Sequence, residues 1–254
     1  MPPTRDINLS VIKAAQILRC LSGGSREWLL QEVVKTVGLP KTVCHRLLAT
    51  LEAERFVDRD PDSGKYRLGT GLLTLAGSAQ SWFSIRASAS QLLAALAQET
   101  RDAAILLVAD RNEALCIDRF DGDYPVRVEG MEVGRRLPLN SGGGPLALLS
   151  FSPREIIEAV LARPLPARTQ QTITDPVKLR ARIQEVQRAG YAVGEEDAFE
   201  HLVAVGAPIF GSERRLMGAI SLGGIKPRYD GPRISALAKK IVSVANAISD
   251  KLGQ

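Results

Sequence analysis

The sequence predicts an α+β chain in two parts. A winged helix-turn-helix occupies residues 1–69, a helical linker residues 70–84, and an antiparallel sheet covered by helices residues 85–254. Three observations predict it. Two short amphipathic helical stretches meet at the tight turn Gly38-Leu39-Pro40, which is the pattern of a helix-turn-helix. Two short alternating runs then flank Asp60-Pro61-Asp62-Ser63-Gly64, as a β-hairpin requires. From residue 103 onward, strand-like runs cluster between helical ones, the order expected of an antiparallel sheet with helices packed on it.

Taken in order, Asn8-Leu9-Ser10 opens the first helix with Ser10 as its N-cap, and Val11, Ile12, Ala15, Leu18 and Leu21 recur at helical spacing. Ser22-Gly23-Gly24-Ser25 ends it. Trp28, Leu29, Val33, Val34 and Val37 line a second helix. Gly38 stops this helix, because glycine readily takes the left-handed conformation of a helix end. The third helix begins at Lys41 and separates into two faces at about 100° per residue. Val43, Cys44, Leu47, Leu48 and Leu51 form the apolar face; Lys41, Thr42, His45, Arg46 and Ala49 form a short, polar, basic one. A helix docked by the first face presents the second to a DNA major groove about 12 Å wide. Phe56-Val57-Asp58-Arg59 and Lys65-Tyr66-Arg67-Leu68 make the wing, where Arg59, Lys65 and Arg67 suit phosphates or the adjacent minor groove.

Thr70-Gly71 breaks the wing. The apolar segment Leu72, Leu73, Leu75, Ala76, Ala79, Trp82 and Phe83 that follows reads as a helix packed on the same segment of a second subunit. Ile85, Ala89, Leu92, Leu93 and Leu96 continue the helical period to Thr100. Five strands are then predicted: 103–109, 114–120, 126–131, 201–210 and 216–222. Helices fall at 145–149, 153–161 and 175–189, the last capped by Thr174 or Asp175 before Pro176, and a long amphipathic helix runs from Ile234 to Leu252.

Composition narrows the function classes. No run approaches the roughly 18 apolar residues of a membrane span, and no secretory leader pattern opens the sequence, so a cytoplasmic protein without a membrane partner is expected. Cys20, Cys44 and Cys116 are scattered on apolar faces and read as free thiols. With only His45 and His201, and no Cys-x-x-Cys pair, neither a metal nor a cofactor is expected. A nucleophile-elbow motif is absent as well, which argues against an enzyme. The net charge is +5; residues 1–70 carry 11 Lys and Arg against 8 Asp and Glu, so per residue the excess lies at the N-terminus. That is the electrostatic footprint of double-stranded DNA as a partner.

Leu39-Pro40-Lys41-Thr42-Val43-Cys44-His45-Arg46-Leu47-Leu48, with Phe56-Val57 and Tyr66-Arg67-Leu68-Gly69, resembles the IclR family of bacterial transcriptional regulators. That family typically shows Leu-Pro-Lys-Ser-Thr-Val-His-Arg-Leu-Leu here; this chain substitutes Thr42, Val43 and Cys44. Gly134-Arg135-Arg136-Leu137-Pro138-Leu139, Gly190-Tyr191-Ala192-Val193, Ala207-Pro208-Ile209-Phe210 and Ala219-Ile220-Ser221-Leu222-Gly223-Gly224 extend the resemblance over nearly the whole chain. The resemblance implies a GAF- or profilin-like effector-binding and oligomerisation domain. It also implies a homodimer or dimer of dimers on a roughly palindromic operator, and a small organic-acid effector. A ligand-independent oligomeric DNA-binding protein is the alternative.

Lys41, Thr42, Val43, His45, Arg46, Arg59, Lys65 and Arg67 are the expected DNA contacts. Three stretches are candidates for the effector. Asn140-Ser141-Gly142-Gly143-Gly144 stands before a helix, where successive backbone N–H groups favour an anion such as a carboxylate; no Gly-Lys-Ser/Thr ending supports a nucleotide. Glu195 and Glu196 follow Gly194, where the family often has Asp. Ala204, Ser221 and Gly223 stand where family members contact ligand, and Asp118, Arg119 and Arg127 are further polar candidates.

Overall fold

The computed structural model describes residues 8–23, 27–77, 80–126 and 129–253, with the backbone alone for 76, 77 and 80–83. The chain divides into two compact units between residues 80 and 81.

In the first unit, α1 (Leu9–Leu21), α2 (Leu30–Val37) and α3 (Lys41–Ala53) precede β1 (Val57–Arg59) and β2 (Tyr66–Leu68). The cap of α1 is Asn8, not Ser10: the Asn8 side-chain oxygen accepts from the N–H of Ser10 at 2.9 Å and of Val11 at 3.4 Å. The second helix also starts later than its apolar spacing predicts. Trp28 lies outside α2 and bridges β2, its N–H donating to the Tyr66 carbonyl at 2.9 Å and its carbonyl accepting from the Tyr66 N–H at 2.7 Å. The Glu32 carboxylate then accepts from the Leu29 N–H at 2.7 Å and fixes the start of α2. Gly38 closes α2 at φ +71°, and the Pro40 carbonyl accepts the first N–H groups of α3. Ile17, Val33, Leu48, Val57 and Tyr66 fill the core. β1 and β2 pair antiparallel, with Val57 opposite Leu68 and Asp58 opposite Arg67. A short helix, α4 (Gly71–Gly77), follows. Leu73 and Leu75 stand exposed on it; the side chains of Ala76, Ala79, Trp82 and Phe83 lie outside the described residues.

The second unit is built on six antiparallel strands: β3 (Ala103–Asp110), β4 (Glu113–Phe120), β5 (Arg136–Pro138), β6 (Ala192–Glu195), β7 (Leu202–Phe210) and β8 (Leu216–Ile225). Their order is β5-β4-β3-β8-β7-β6. The period-2 alternation of β3 sorts its side chains between two cores. Ala104 and Leu106 meet α5 (Gln80–Thr100) and α9 (Gly231–Leu252) on one face. Ile105 and Leu107 meet α6 (Gly143–Ser150), α7 (Arg154–Leu161) and α8 (Pro176–Ala189) on the other. Helices on both sides explain why β3 reads as a continuous apolar run. Asp175 caps α8 as expected, accepting from the Val177 N–H at 2.7 Å.

One strand expectation is corrected, and two edge strands were not predicted. Residues 126 and 129–131 are not in a strand, and Arg127 lies outside the described residues. The edge of β4 is taken by Arg136–Pro138, with Leu137 opposite Ala114. Gly130 stands at φ +102° against Phe199, where a Cβ would come within 2.5 Å of the ring, so the backbone there leaves the extended conformation. The four-residue edge strand β6 carried too short an alternation to be predicted.

At the start of β3, Asp102 is wholly buried. It accepts from Arg233 at 2.8 Å and pairs with Arg228. Both guanidinium groups also donate to the Thr100 carbonyl at 3.1 Å. This ion cluster fixes the beginning of α9 to the sheet.

Candidate functional site

The polar face of α3 is laid out as its sequence spacing requires. Cys44, Leu48 and Leu51 are buried and Val43 and Leu47 half-buried, while Lys41, Thr42, His45, Arg46, Ala49 and Thr50 are exposed. The buried side is held by the core, and Cys44 Sγ lies 3.7 Å from the Leu39 carbonyl. Lys41, Thr42, His45 and Arg46 are therefore presented together on one helical surface, and Val43 is turned partly away from it.

The wing is more constrained. Its turn is closed by Asp60, whose carboxylate accepts from the N–H and Oγ of Ser63 at 2.7 and 2.8 Å. These Ser63 hydrogen bonds hold the Asp60 carboxyl below its usual range. Arg59 lies over the Tyr66 ring, 5.5 Å from its centroid. Lys65 and Arg67 both face Glu27, at 3.6 and 4.0 Å, and Arg67 also faces Asp58 at 3.9 Å. Sequence reasoning missed Glu27, which reaches the wing because its neighbour Trp28 pairs with Tyr66.

In the second unit, a cavity opens between the start of α6 and the sheet. Gly142 and Gly143, Gly194, Ala204, Ser221 and Gly223 line it. Glycine makes this approach possible: a Cβ on Gly143 would sit 2.4 Å from the Ala204 carbonyl oxygen. Gly142 itself stands at φ +82°. Gly144 is packed behind the wall, where a Cβ would meet Leu107 at 2.3 Å and Ser221 at 2.9 Å. The remaining surface is largely apolar, from Ile105, Leu107, Met131, Leu137 and Phe199 among others.

Asp197 is the ionisable side chain among the described lining residues. Its carboxyl lies against Gly194, where a Cβ would stand 2.6 Å from Asp197 Oδ1 and 2.7 Å from Gly142 Cα. Burial raises its pKa above the ordinary Asp value; the nearby backbone N–H groups of Gly142, Asp197 and Ala198 and the charge of Arg182 act in the opposite direction.

Other sequence candidates do not meet the cavity. The Asn140 amide donates to the carbonyls of Pro166 and Ile173 at 3.1 and 3.0 Å, and Ser141 Oγ points to the Pro138 carbonyl at 3.4 Å. Glu195 is exposed. Glu196 pairs with Lys226 and accepts from the His201 N–H at 3.1 Å; the Lys226 ammonium holds its carboxyl below the usual range. Asp118 is bound by Arg86 at 2.9 Å and Ser90 at 3.1 Å, and Arg119 by Asp121 and the Met131 carbonyl. Asp197 was missed as a site residue although it stands three positions beyond Gly194.

A winged helix-turn-helix unit followed by a sheet unit with a glycine-lined, apolar cavity defines a DNA-binding regulator with a small-molecule-binding domain. The bacterial transcriptional regulator IclR C-terminal model matches residues 78–250, and the IclR helix-turn-helix domain model residues 10–61. The chain belongs to the IclR family. The HTH-type transcriptional regulator KipR of Bacillus subtilis is 36% identical over 225 residues, covering 88% of this chain and 89% of the relative. The glycerol operon regulatory protein of Streptomyces griseus is 31% identical over 250 residues, covering 96% of each. Among solved structures, the IclR regulator from Alicyclobacillus acidocaldarius superposes with a TM-score of 0.81 at 29% identity, covering 97% of this chain and all of the other. An IclR homologue from Microbacterium hydrocarbonoxydans complexed with 4-hydroxybenzoate gives 0.83 at 24% identity, covering 96% of this chain and 98% of the other.

Proposed function

We propose that this regulator reads a roughly palindromic operator as a homodimer or dimer of dimers. In this reading Lys41, Thr42, His45 and Arg46 enter the major groove, Val43 adds an apolar contact at its edge, and Arg59, Lys65 and Arg67 meet phosphates or the minor groove. The observation that carries it is the division of α3: its apolar side is buried in the core while four adjacent polar side chains are exposed. Residues 1–69 act as the DNA-binding domain, 70–84 as the linker and 85–254 as the effector-binding and oligomerisation domain. A second copy is supported by Leu73 and Leu75, 73% and 57% exposed on α4, and by Leu9 and Val11, each 65% exposed on α1; apolar groups so disposed favour a partner surface.

A small organic acid bound in the cavity shifts the population between DNA-binding and released arrangements. The 4-hydroxybenzoate bound to the Microbacterium relative supports that ligand class. The chain works as a regulator, not an enzyme, in the cytoplasm; no helix among the described residues is long and apolar enough to cross a membrane. The test is selection of operator DNA from random duplexes, followed by gel shift with and without small organic acids. Recovery of a half-site repeat, and a ligand that changes its affinity, is the expected result. Binding without sequence preference refutes the major-groove reading. A recovered repeat whose affinity no ligand changes favours the ligand-independent alternative.

A further inference from the structure

The cavity's polar groups constrain its ligand further than its size does. No Lys, Arg or His is among the described lining residues, and the ionisable group there is a carboxyl, Asp197. A carboxylate offers about four acceptor sites. The Asp197 carboxyl lines the cavity beside Gly194 and Gly142, where it can accept from a donor on the ligand. The same placement changes the meaning of the glycine-rich turn. The glycine-rich start of α6, expected from sequence to receive an external anion, has the protein's own acid beside it at Gly142 and Gly194. A carboxylate brought to this end of the cavity would meet a like charge with water largely excluded, an arrangement that is strongly unfavourable unless one of the two takes up a proton. Ser221, 5% exposed and also lining the cavity, adds a hydroxyl able to donate or accept. Around these two polar groups, Ile105, Leu107, Met131, Leu137 and Phe199 supply an apolar surface suited to a ring or a short aliphatic body.

We infer that the cavity selects molecules with an apolar body and a hydroxyl or amine donor directed at Asp197, and discriminates against a bare carboxylate at that end. The inference rests on the reading of this cavity as the effector site and narrows its ligand class. An organic acid fits when it also carries such a donor, as 4-hydroxybenzoate does and benzoate does not, with its carboxylate turned away from Asp197.

The experiment is calorimetric titration of the full chain with benzoate, 4-hydroxybenzoate, 4-hydroxybenzyl alcohol and tyramine. It is repeated on Asp197→Asn and on Ala204→Leu, a variant that fills the cavity, with circular dichroism melting to establish that each variant is folded. The expected result is at least about ten-fold tighter binding of the three donor-bearing probes than of benzoate, since an unmatched buried polar group costs on this order. Asp197→Asn should lower tyramine affinity about ten-fold or more, because it removes the charge partner, and should improve benzoate; Ala204→Leu should abolish binding of every probe. Benzoate binding as tightly as the donors, and lost in Ala204→Leu, overturns the donor assignment and leaves the cavity as the effector site. Binding that survives Ala204→Leu overturns both, and absence of binding by all four probes at millimolar concentration overturns the donor assignment.

Discussion

Replacing Glu27 by Gln should tighten DNA binding without regard to sequence. The Glu27 carboxylate lies 3.6 Å from Lys65 Nζ and 4.0 Å from Arg67 Nη1, while Asp58 remains 3.9 Å from Arg67. All of these side chains are roughly half exposed, so each pair contributes only about 0.2–1 kcal/mol to the free protein. A phosphate approaching Lys65 must displace Glu27 or sit beside it, and a like charge at about 8 Å in water costs about 0.5 kcal/mol. Neutralising Glu27 removes whichever penalty applies, about 0.5–1 kcal/mol, or about two- to five-fold in affinity at 1.4 kcal/mol per factor of ten. Each new phosphate contact should also steepen the dependence of log K on log salt by about 0.9. Fluorescence anisotropy with operator and scrambled duplexes, over a salt series, measures both quantities. An unchanged affinity, or a gain confined to the operator, would refute the argument that Glu27 competes with phosphate for the wing cations.

Four further outcomes are expected. Arg46→Ala should lose about 1–3 kcal/mol of operator affinity in a gel shift, the range of a bidentate base contact, with ligand titrations unchanged; equal operator affinity removes Arg46 from the interface. Leu48→Ala, at a fully buried position in the first core, should destabilise that unit by about 2–5 kcal/mol in denaturant melts, and a loss under about 1 kcal/mol would mean the site collapses around the gap. Because Asp197 is raised above its ordinary 3.8 in the folded state, the native chain keeps a proton that the unfolded chain has lost between those two values, and stability falls as pH rises through that window. Asp197→Asn should accordingly melt above wild type at neutral pH, with the gap closing below the ordinary value; a gap that does not change with pH contradicts the assignment. Burial pushes the Cys116 thiol up to about 12 and raises that of Cys44, so iodoacetamide at about pH 8 should label these two buried cysteines only after unfolding.

The elements most legible in the sequence were those whose signal is local. The two faces of α3 follow from spacing alone, since Cys44, Leu48 and Leu51 fall on one arc of the helix and Lys41, Thr42, His45 and Arg46 on another. What was not legible depends on partners distant in the chain. Trp28 fits an amphipathic helix by spacing, yet its backbone pairs with Tyr66 across the wing. Val126 to Met131 alternates as a strand should, but the edge of β4 was taken by Arg136–Pro138, and no property of 126–131 alone records that competition. Glu195 and Glu196 were chosen over Asp197 because they follow Gly194 directly. The last residue of β6 and the turn after it send Glu195 to solvent and Glu196 to Lys226, and Asp197 is the acid that returns to Gly142.

The two candidate sites differ in the kind of sequence information that builds them. At the proposed DNA face the exposed side chains are themselves the signal: they are polar, adjacent and mounted on a helix whose apolar side the core holds. At the cavity the decisive residues are chiefly those that lack side chains. Gly143 brings α6 onto Ala204 and Gly194 lets Asp197 lie against Gly142, each at a distance that a Cβ would forbid. A glycine-rich segment was therefore recognisable as a place of close approach, but what approaches it is set by topology. The acid beside the start of α6 is Asp197, 55 positions beyond Gly142 in the sequence. Specificity at such a site lies in which protein group stands beside the helix start, so exchanging Asp197 should change ligand preference more than exchanging the glycines, whose replacement would close the cavity altogether.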